Sequence, residues 1–176
     1  SLTDITKIKE KSNLLEYQAS HDKLTGLFNR NKFDEVYSKE LKRSKRYNNE
    51  LSMIIFDIDD FKMVNDNYGH QIGDDVLKEI AKIILKNVRE QDVNVRWGGE
   101  EFLILLPQTN LAGAVTVASK IRIAIKEHLF TPEILKITAS FGVSQLLSED
   151  SETTFISRGD NLLYEAKKTG KDKVIS

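Results

Sequence analysis

The sequence contains no cysteine, only two prolines and a single tryptophan in 176 residues. Without cysteine there are no disulfides and no thiolate chemistry, which suits a reducing compartment. Long apolar runs are missing too. None reaches the ~18 residues needed to cross a bilayer, and charges scattered through the first twenty residues are unlike a signal peptide. Nor is there an excess of charge: 26 Lys and Arg against 27 Asp and Glu give a net charge of −1, unlike a nucleic-acid binder. The basic run Lys39, Lys42, Arg43, Lys45 and Arg46 is diluted by Glu35, Glu40 and Glu50 and reads as a solvated helix face. No Ser/His/Asp or Cys/His set offers a nucleophile. The chain starts at Ser1 rather than Met, as expected of a piece of a longer protein whose other parts are free to span a membrane.

What remains is an ordinary globular mixture, 40% apolar and 30% charged, enough for one compact core. Residues 3–20 read as a helix with Ile5, Ile8, Ser12, Leu15 and Ala19 spaced three and four apart. This seam of little more than two heptads fits a short coiled coil or one amphipathic helix equally well. A helix is predicted from Asn29 to about Tyr47 on Phe33, Val36, Tyr37 and Leu41. Leu51 to Phe56 form an apolar run ending in Asp57, the pattern of a strand buried on both faces. Val76, Leu77, Ile80, Ile83 and Ile84 predict a helix over 73–87. Residues 93–97 and 100–106 read as a hairpin turning on Gly98-Gly99, because a type I′ turn needs positive φ at both positions. A helix over 110–128, a strand near 136–146, a helix over 154–169 and a short strand near 172–175 complete the order. Helices alternating with strands around one hairpin imply an α/β (α+β) fold: a mixed, largely antiparallel central sheet with flanking helices.

Acidic residues gather where strands end. Asp57, Asp59 and Asp60 crowd the exit of the buried strand, and like charges so close are costly unless cations or donors hold them. A solvated turn is the plain reading. A calcium loop fails, because Phe61 and Lys62 stand where ligand and glycine belong, and Tyr68 where the bidentate Glu belongs. Glu100 and Glu101 follow the glycines, and strand alternation lets one of them face Asp57. Hard divalent ions take such oxygens, and two of them ~3.5–4 Å apart can serve an in-line phosphoryl transfer. Gly98 and Gly99 would let a phosphate chain approach the backbone. Lys62, Lys167, Lys168 and Lys171 are candidate phosphate partners, although lysines in a last helical turn before Gly170 also complement the helix dipole. A P-loop is excluded at Gly170-Lys171, since Glu165 and Asp172 occupy its defining positions. This inventory suits phosphoryl transfer, where protein mainly positions reactants and screens charge.

Arg96-Trp97-Gly98-Gly99-Glu100-Glu101-Phe102 resembles the signature of GGDEF domains, the diguanylate cyclases, in its GGEEF form. Asp22 to Arg30 resembles the family's D-x-L-T-G-L-x-N-R opening, Phe56 to Lys62 its acidic strand end, and Asn65 to Asp74 its N-D-x-x-G-H-x-x-G-D segment. The resemblance covers about residues 21–176, with 1–20 as an N-terminal linker helix. It implies a fold similar to the palm of nucleotide polymerases and cyclases. It also implies condensation of two GTP into cyclic di-GMP with release of two pyrophosphates, at a homodimer interface, using two Mg²⁺ or Mn²⁺ per active site. By the same resemblance Asp57, Glu100 and the Ile58 carbonyl would hold metal. Glu101 would assist metal binding or deprotonate the attacking hydroxyl, and either glutamate could be the base. Asn65 and Asp74 would bind guanine, with His70 and Phe61 bordering the pocket. Lys62, Lys167 and Lys171 would meet the phosphates, Lys171 standing where the family often has an arginine fork.

Arg89-Glu90-Gln91-Asp92 is similar to the family's R-x-x-D inhibitory site for cyclic di-GMP, and Arg122 to a second arginine that contacts product on a neighbouring domain. Asp4-Ile5-Thr6 resembles the end of a PAS sensor domain joined to such a helix, which implies an upstream sensor; the domain itself is expected in the cytoplasm. The rival reading is a degenerate domain that binds nucleotide without catalysis, and the intact Gly98 to Phe102 argues against it.

Overall fold

The computed structural model describes residues 1–131 and 135–176. Eleven elements follow one another: α1 (Leu2–Ser20), α2 (Arg30–Tyr47), β1 (Leu51–Ile58), α3 (Phe61–Tyr68), α4 (His70–Asn87), β2 (Val93–Gly98), β3 (Glu101–Pro107), α5 (Leu111–Glu127), β4 (Ala139–Gln145), α6 (Glu152–Lys168) and β5 (Val174–Ile175). The strands make one mixed sheet in the order β2-β3-β1-β4-β5. Every neighbouring pair is antiparallel except β4 and β5. The expected mixed, largely antiparallel α+β architecture is therefore present.

β1 lies at the centre, and its alternation divides the core in two. Ile54, Phe56 and Ile58 face one layer together with Phe102, Ile104 and Leu106 of β3 and the apolar sides of α4 and α5. Phe56 stacks between Phe102 and Phe141, at centroid distances of 5.1 and 4.6 Å; such pairs add about 0.5–1.5 kcal/mol beyond area burial. Leu51, Met53 and Ile55 face the other layer, with Leu103, Leu105 and side chains of α2 and α6. Continuing that alternation, Asp57 emerges on the α2–α6 side at the end of the strand.

The helix expected over 73–87 begins at His70, and a separate eight-residue helix, α3, precedes it. Only Phe61 and Val64 of α3 are buried, too few to write a helical period. Gly69, at φ 89°, closes one helix and opens the other. The strand expected near 136–146 is shorter, Ala139–Gln145, and the last strand is reduced to Val174–Ile175.

The hairpin turn is also displaced. Gly98 pairs with Glu101, so the turn residues are Gly99 and Glu100, and of the two glycines only Gly99 takes positive φ, 46°. A bulge between Arg96 and Gly98 absorbs one residue. Trp97, the residue at the bulge, stands edge-on to Phe33 and under the Arg30 guanidinium.

α6 lies on β4 where both carry glycine. A Cβ at Gly142 would come within 2.4 Å of the Gly159 carbonyl oxygen and 2.6 Å of the Leu163 nitrogen, both backbone atoms that cannot swing aside. Gly142→Ala should therefore lift the helix off the sheet and cost about 3 kcal/mol, at the upper end of overpacking penalties, in urea denaturation. A second tie secures the start of the same helix. Asp150 receives Arg158 at 2.6 and 2.8 Å and the Leu147 amide at 2.7 Å. These bonds, the arginine's first, push its carboxyl down to about 2. A carboxyl lowered from 3.8 to about 2 stabilises the fold fully above its unfolded pKa and stops doing so as pH falls through the folded one. At roughly 1.4 kcal/mol per pKa unit the contribution is about 2 kcal/mol. Asp150→Asn should be destabilised by about that much at pH 7, with the gap to the parent protein closing between about pH 4 and pH 2.

Candidate active site

The acidic end of the sheet is assembled by register. Asp57 of β1 stands opposite Glu101 of β3 on one side and Ser140 of β4 on the other. Glu100 lies in the turn, and its carbonyl accepts the Ile58 amide at 3.3 Å. Because the turn is displaced, Glu101 is the glutamate that faces Asp57 as a strand neighbour. Glu100 still stands close enough for its charge to act on Asp57. Burial, then the nearby Glu100 and Asp59, raises the Asp57 carboxyl above the usual range. Glu101 is raised too, by burial first and then by Asp57, Asp160 and Glu100.

Asp59 behaves differently although it is more deeply buried. Burial opposes its charge, but hydrogen bonds from Lys167, Ser140 and Thr138 outweigh that and hold its carboxyl low. Thr138 and Ser140 hydroxyls each donate at 2.7 Å, and the Asp172 amide at 3.0 Å. That amide is aimed by a turn in which Lys171 and Asp172 both take positive φ, 61° and 48°. Arg122 and Lys126 of α5 grip the Asp172 carboxylate at 2.9 and 2.7 Å.

Lys167, in the last turn of α6, reaches across to the same point. Its ammonium donates to Asp57 Oδ1 at 2.8 Å, Asp59 Oδ1 at 2.9 Å and the Ile58 carbonyl at 3.2 Å. Lys171 pairs with Asp60 at 2.7 Å, and Lys62 is exposed on α3. Among the described residues no three Asp, Glu or His side chains converge as a closed metal cage. A divalent ion with few protein ligands does not need one, and the Asp57 and Ile58 oxygens already converge on a cation, the Lys167 ammonium. The donor set fits a hard divalent ion.

Beside the acids, Gly98 and Gly99 stand open, with nothing within 4 Å of where a Cβ would be. Asn65 of α3 presses its side chain against Gly73, where a Cβ would fall 1.9 Å from its Oδ1. The two helices meeting at Gly69 thus bring Asn65 up to the residue preceding Asp74. Phe61 is buried beside this contact and His70 is exposed at the head of α4.

The chain matches the family described as "Diguanylate cyclase, GGDEF domain" over residues 19–173. It belongs to the GGDEF family. The response regulator PleD of Caulobacter vibrioides is 39% identical over 159 residues, covering 88% of this chain and 35% of PleD. Diguanylate cyclase DgcM of Escherichia coli is 35% identical over 173 residues, 98% of this chain and 42% of DgcM. The chain thus spans between about a third and a half of the length of these curated relatives. Among solved structures, the coiled coil and GGDEF domain of DgcB from Caulobacter crescentus, in complex with c-di-GMP, superposes with a TM-score of 0.93 at 26% identity. It covers 99% of this chain and 94% of that one. The active GGEEF domain of a diguanylate cyclase from Vibrio cholerae gives 0.81 at 36% identity, with 84% and 95% covered.

The residues similar to the family's inhibitory site lie at the opposite end of β3, by Pro107. Arg89 donates to Asp92 at 3.0 Å, to the Pro107 carbonyl at 2.8 Å and to Thr109 at 2.6 Å. The Asp92 side chain is 1% exposed against 45% for Arg89. Arg122 lies away from Arg89 of the same chain, on the Asp172 carboxylate near the acids, which leaves untouched its expected contact with product on a neighbouring domain. Sequence reasoning missed the roles of Thr138, Ser140 and Asp172 around Asp59; a single hydroxyl or a turn amide carries no signal of what it will face. Among the described residues of this GGDEF domain, no helix is long and apolar enough to cross a membrane.

Proposed function

We propose that this domain condenses two GTP molecules into cyclic di-GMP, each domain of a homodimer presenting one GTP. The observation that carries the reading is the register of Asp57 against Glu101, with Glu100 in the adjoining turn and the open Gly98-Gly99 backbone alongside. Asp57, Glu100 and the Ile58 carbonyl would hold Mg²⁺ or Mn²⁺, two ions per site. When bound, such ions neutralise charge on the transferring phosphoryl group and lower the pKa of the attacking hydroxyl.

The chain's own residues do the positioning. Asn65 and Asp74 hold the guanine edge, since a carboxylate accepts from both N1–H and N2–H of guanine and adenine offers no such pair. Phe61 and His70 border the base. Gly98 and Gly99 let the triphosphate lie against the backbone, and Lys62, Lys167 and Lys171 pair with its oxygens. Glu101, raised by burial and by its acidic neighbours, is suited to accept a proton from the attacking 3′-hydroxyl. In the intact protein α1 would join the domain to a sensor such as a PAS domain, in the cytoplasm.

Incubation with GTP and Mg²⁺, followed by chromatography, should yield cyclic di-GMP and pyrophosphate in a ratio of one to two. Specific activity should rise with enzyme concentration at saturating GTP. Asp57→Asn should lose activity by orders of magnitude while its thermal melt stays cooperative; turnover near that of the parent would sink the assignment.

The groove at Arg89 supports a second element of this reading, inhibition by product. It is lined by Glu50, Asn87, Arg89, Asp92, Gly113 and Val117 among others, and its volume is about 350 Å³. Arg89 offers a fork for phosphate or the guanine Hoogsteen edge, and Asp92, once turned outward from Arg89, an acceptor for guanine. Synthesis should slow as product accumulates, and Arg89→Ala should run on to higher product from a similar initial rate. Calorimetric titration with cyclic di-GMP checks it: equal binding to both proteins would remove the site.

A further inference from the structure

Lys167 is held on the acids by more contacts than a surface lysine makes. Four oxygens surround its ammonium: Asp57 Oδ1 at 2.8 Å, Asp59 Oδ1 at 2.9 Å, the Ile58 carbonyl at 3.2 Å and the Asp57 carbonyl at 3.4 Å. The Asp57 and Ile58 groups belong to the set assigned above to a divalent cation. Asp59 does not, and it cannot turn away. Its side chain is 3% exposed and its oxygens are fixed by Thr138, Ser140 and the Asp172 amide. The stem of Lys167 leaves a helix that the Gly142–Gly159 contact holds against the sheet.

We propose that Lys167 is the resident counter-ion of this acid cluster, and that a divalent cation binds at Asp57 and Ile58 only by displacing its ammonium. The inference rests on the metal reading above and adds a competition to it. Until metal arrives, the ammonium offsets the repulsion of Asp57, Asp59, Glu100 and Glu101 in a half-buried place where water screens poorly. Metal arriving alone must expel that ammonium towards solvent. Metal arriving with a triphosphate expels it towards phosphate oxygens, a far better destination. Loading of metal and of nucleotide thereby become coupled, each favouring the other by the same factor. The ordering comes from one flexible side chain with two sets of partners, one acidic and internal, one brought by the substrate.

The test uses Mn²⁺ alone, with free Mn²⁺ followed by electron paramagnetic resonance in the absence of nucleotide. Lys167→Met should bind Mn²⁺ roughly tenfold more tightly than the parent, equivalent to about 1.4 kcal/mol. Lys167→Arg keeps the competing charge and should stay near the parent. Lys168→Met removes the same charge one residue on, where the ammonium stands 5.0 Å over the Tyr164 ring, and should gain little. Circular dichroism checks folding, with Lys167→Gln as substitute if the methionine variant is unfolded. Equal affinity in parent and Lys167→Met, or an equal gain in Lys168→Met, would overturn the displacement. Absence of Mn²⁺ binding to every protein would overturn the metal reading along with it. A Mn²⁺ difference without any cyclic di-GMP synthesis would leave this inference standing and remove only the cyclase activity.

Discussion

Four carboxylates, Asp57, Asp59, Glu100 and Glu101, share one end of a sheet whose interior is mostly apolar, and the Lys167 ammonium sits between two of them. Carboxylates this close repel one another, and burial deepens the penalty. The fold meets it by giving each acid a different environment. Asp59 is saturated with donors and stays ionised at low cost. Asp57 and Glu101 are left with raised carboxyls, poised to take up a positive charge. Much of the surrounding architecture serves this division: β4 brings Ser140, the approach to it brings Thr138, and the turn after α6 brings the Asp172 amide.

Reaching the acids requires α6 to sit at one height on the sheet. Side chains alone would allow some slack, because large residues can repack. The backbone contact of Gly142 with Gly159 and Leu163 does not. Asp150 and Arg158 anchor the start of the helix. Position is thus set at the start and along the middle, and the terminal lysine arrives where oxygens converge.

Much of this was legible in the residues. The central strand announced itself as an apolar run ending in acid, and long helices such as α4 showed their period plainly. α3 was invisible because two buried side chains cannot define a repeat. The displaced turn was hidden for a different reason: a Gly-Gly pair satisfies the rule for a symmetric turn, while the bulge at Trp97 depends on tertiary packing that no local pattern records. In the site, the acidic and glycine positions carried a family pattern, and their meeting followed from strand pairing. That Lys167 would rest on the acids was not legible, since its spacing in a last helical turn looks the same whether it serves a dipole, a phosphate or a carboxylate.

The first helix meets the domain through few atoms, yet these lie close to the signature turn. None of its residues is buried. At its end Asn29 ties to the Ala19 and Ser20 carbonyls, and His21 stacks on Tyr17. Next to this junction, Asp22 holds the Arg96 guanidinium, whose Nε donates to the Gly99 carbonyl at 3.0 Å. Mechanically α1 is a lever about 28 Å long, at 1.5 Å per residue. A tilt of about 10° at the junction sweeps its far end through roughly 5 Å. Forces applied at that far end reach the junction multiplied by the same leverage, one guanidinium away from the backbone that carries Glu100.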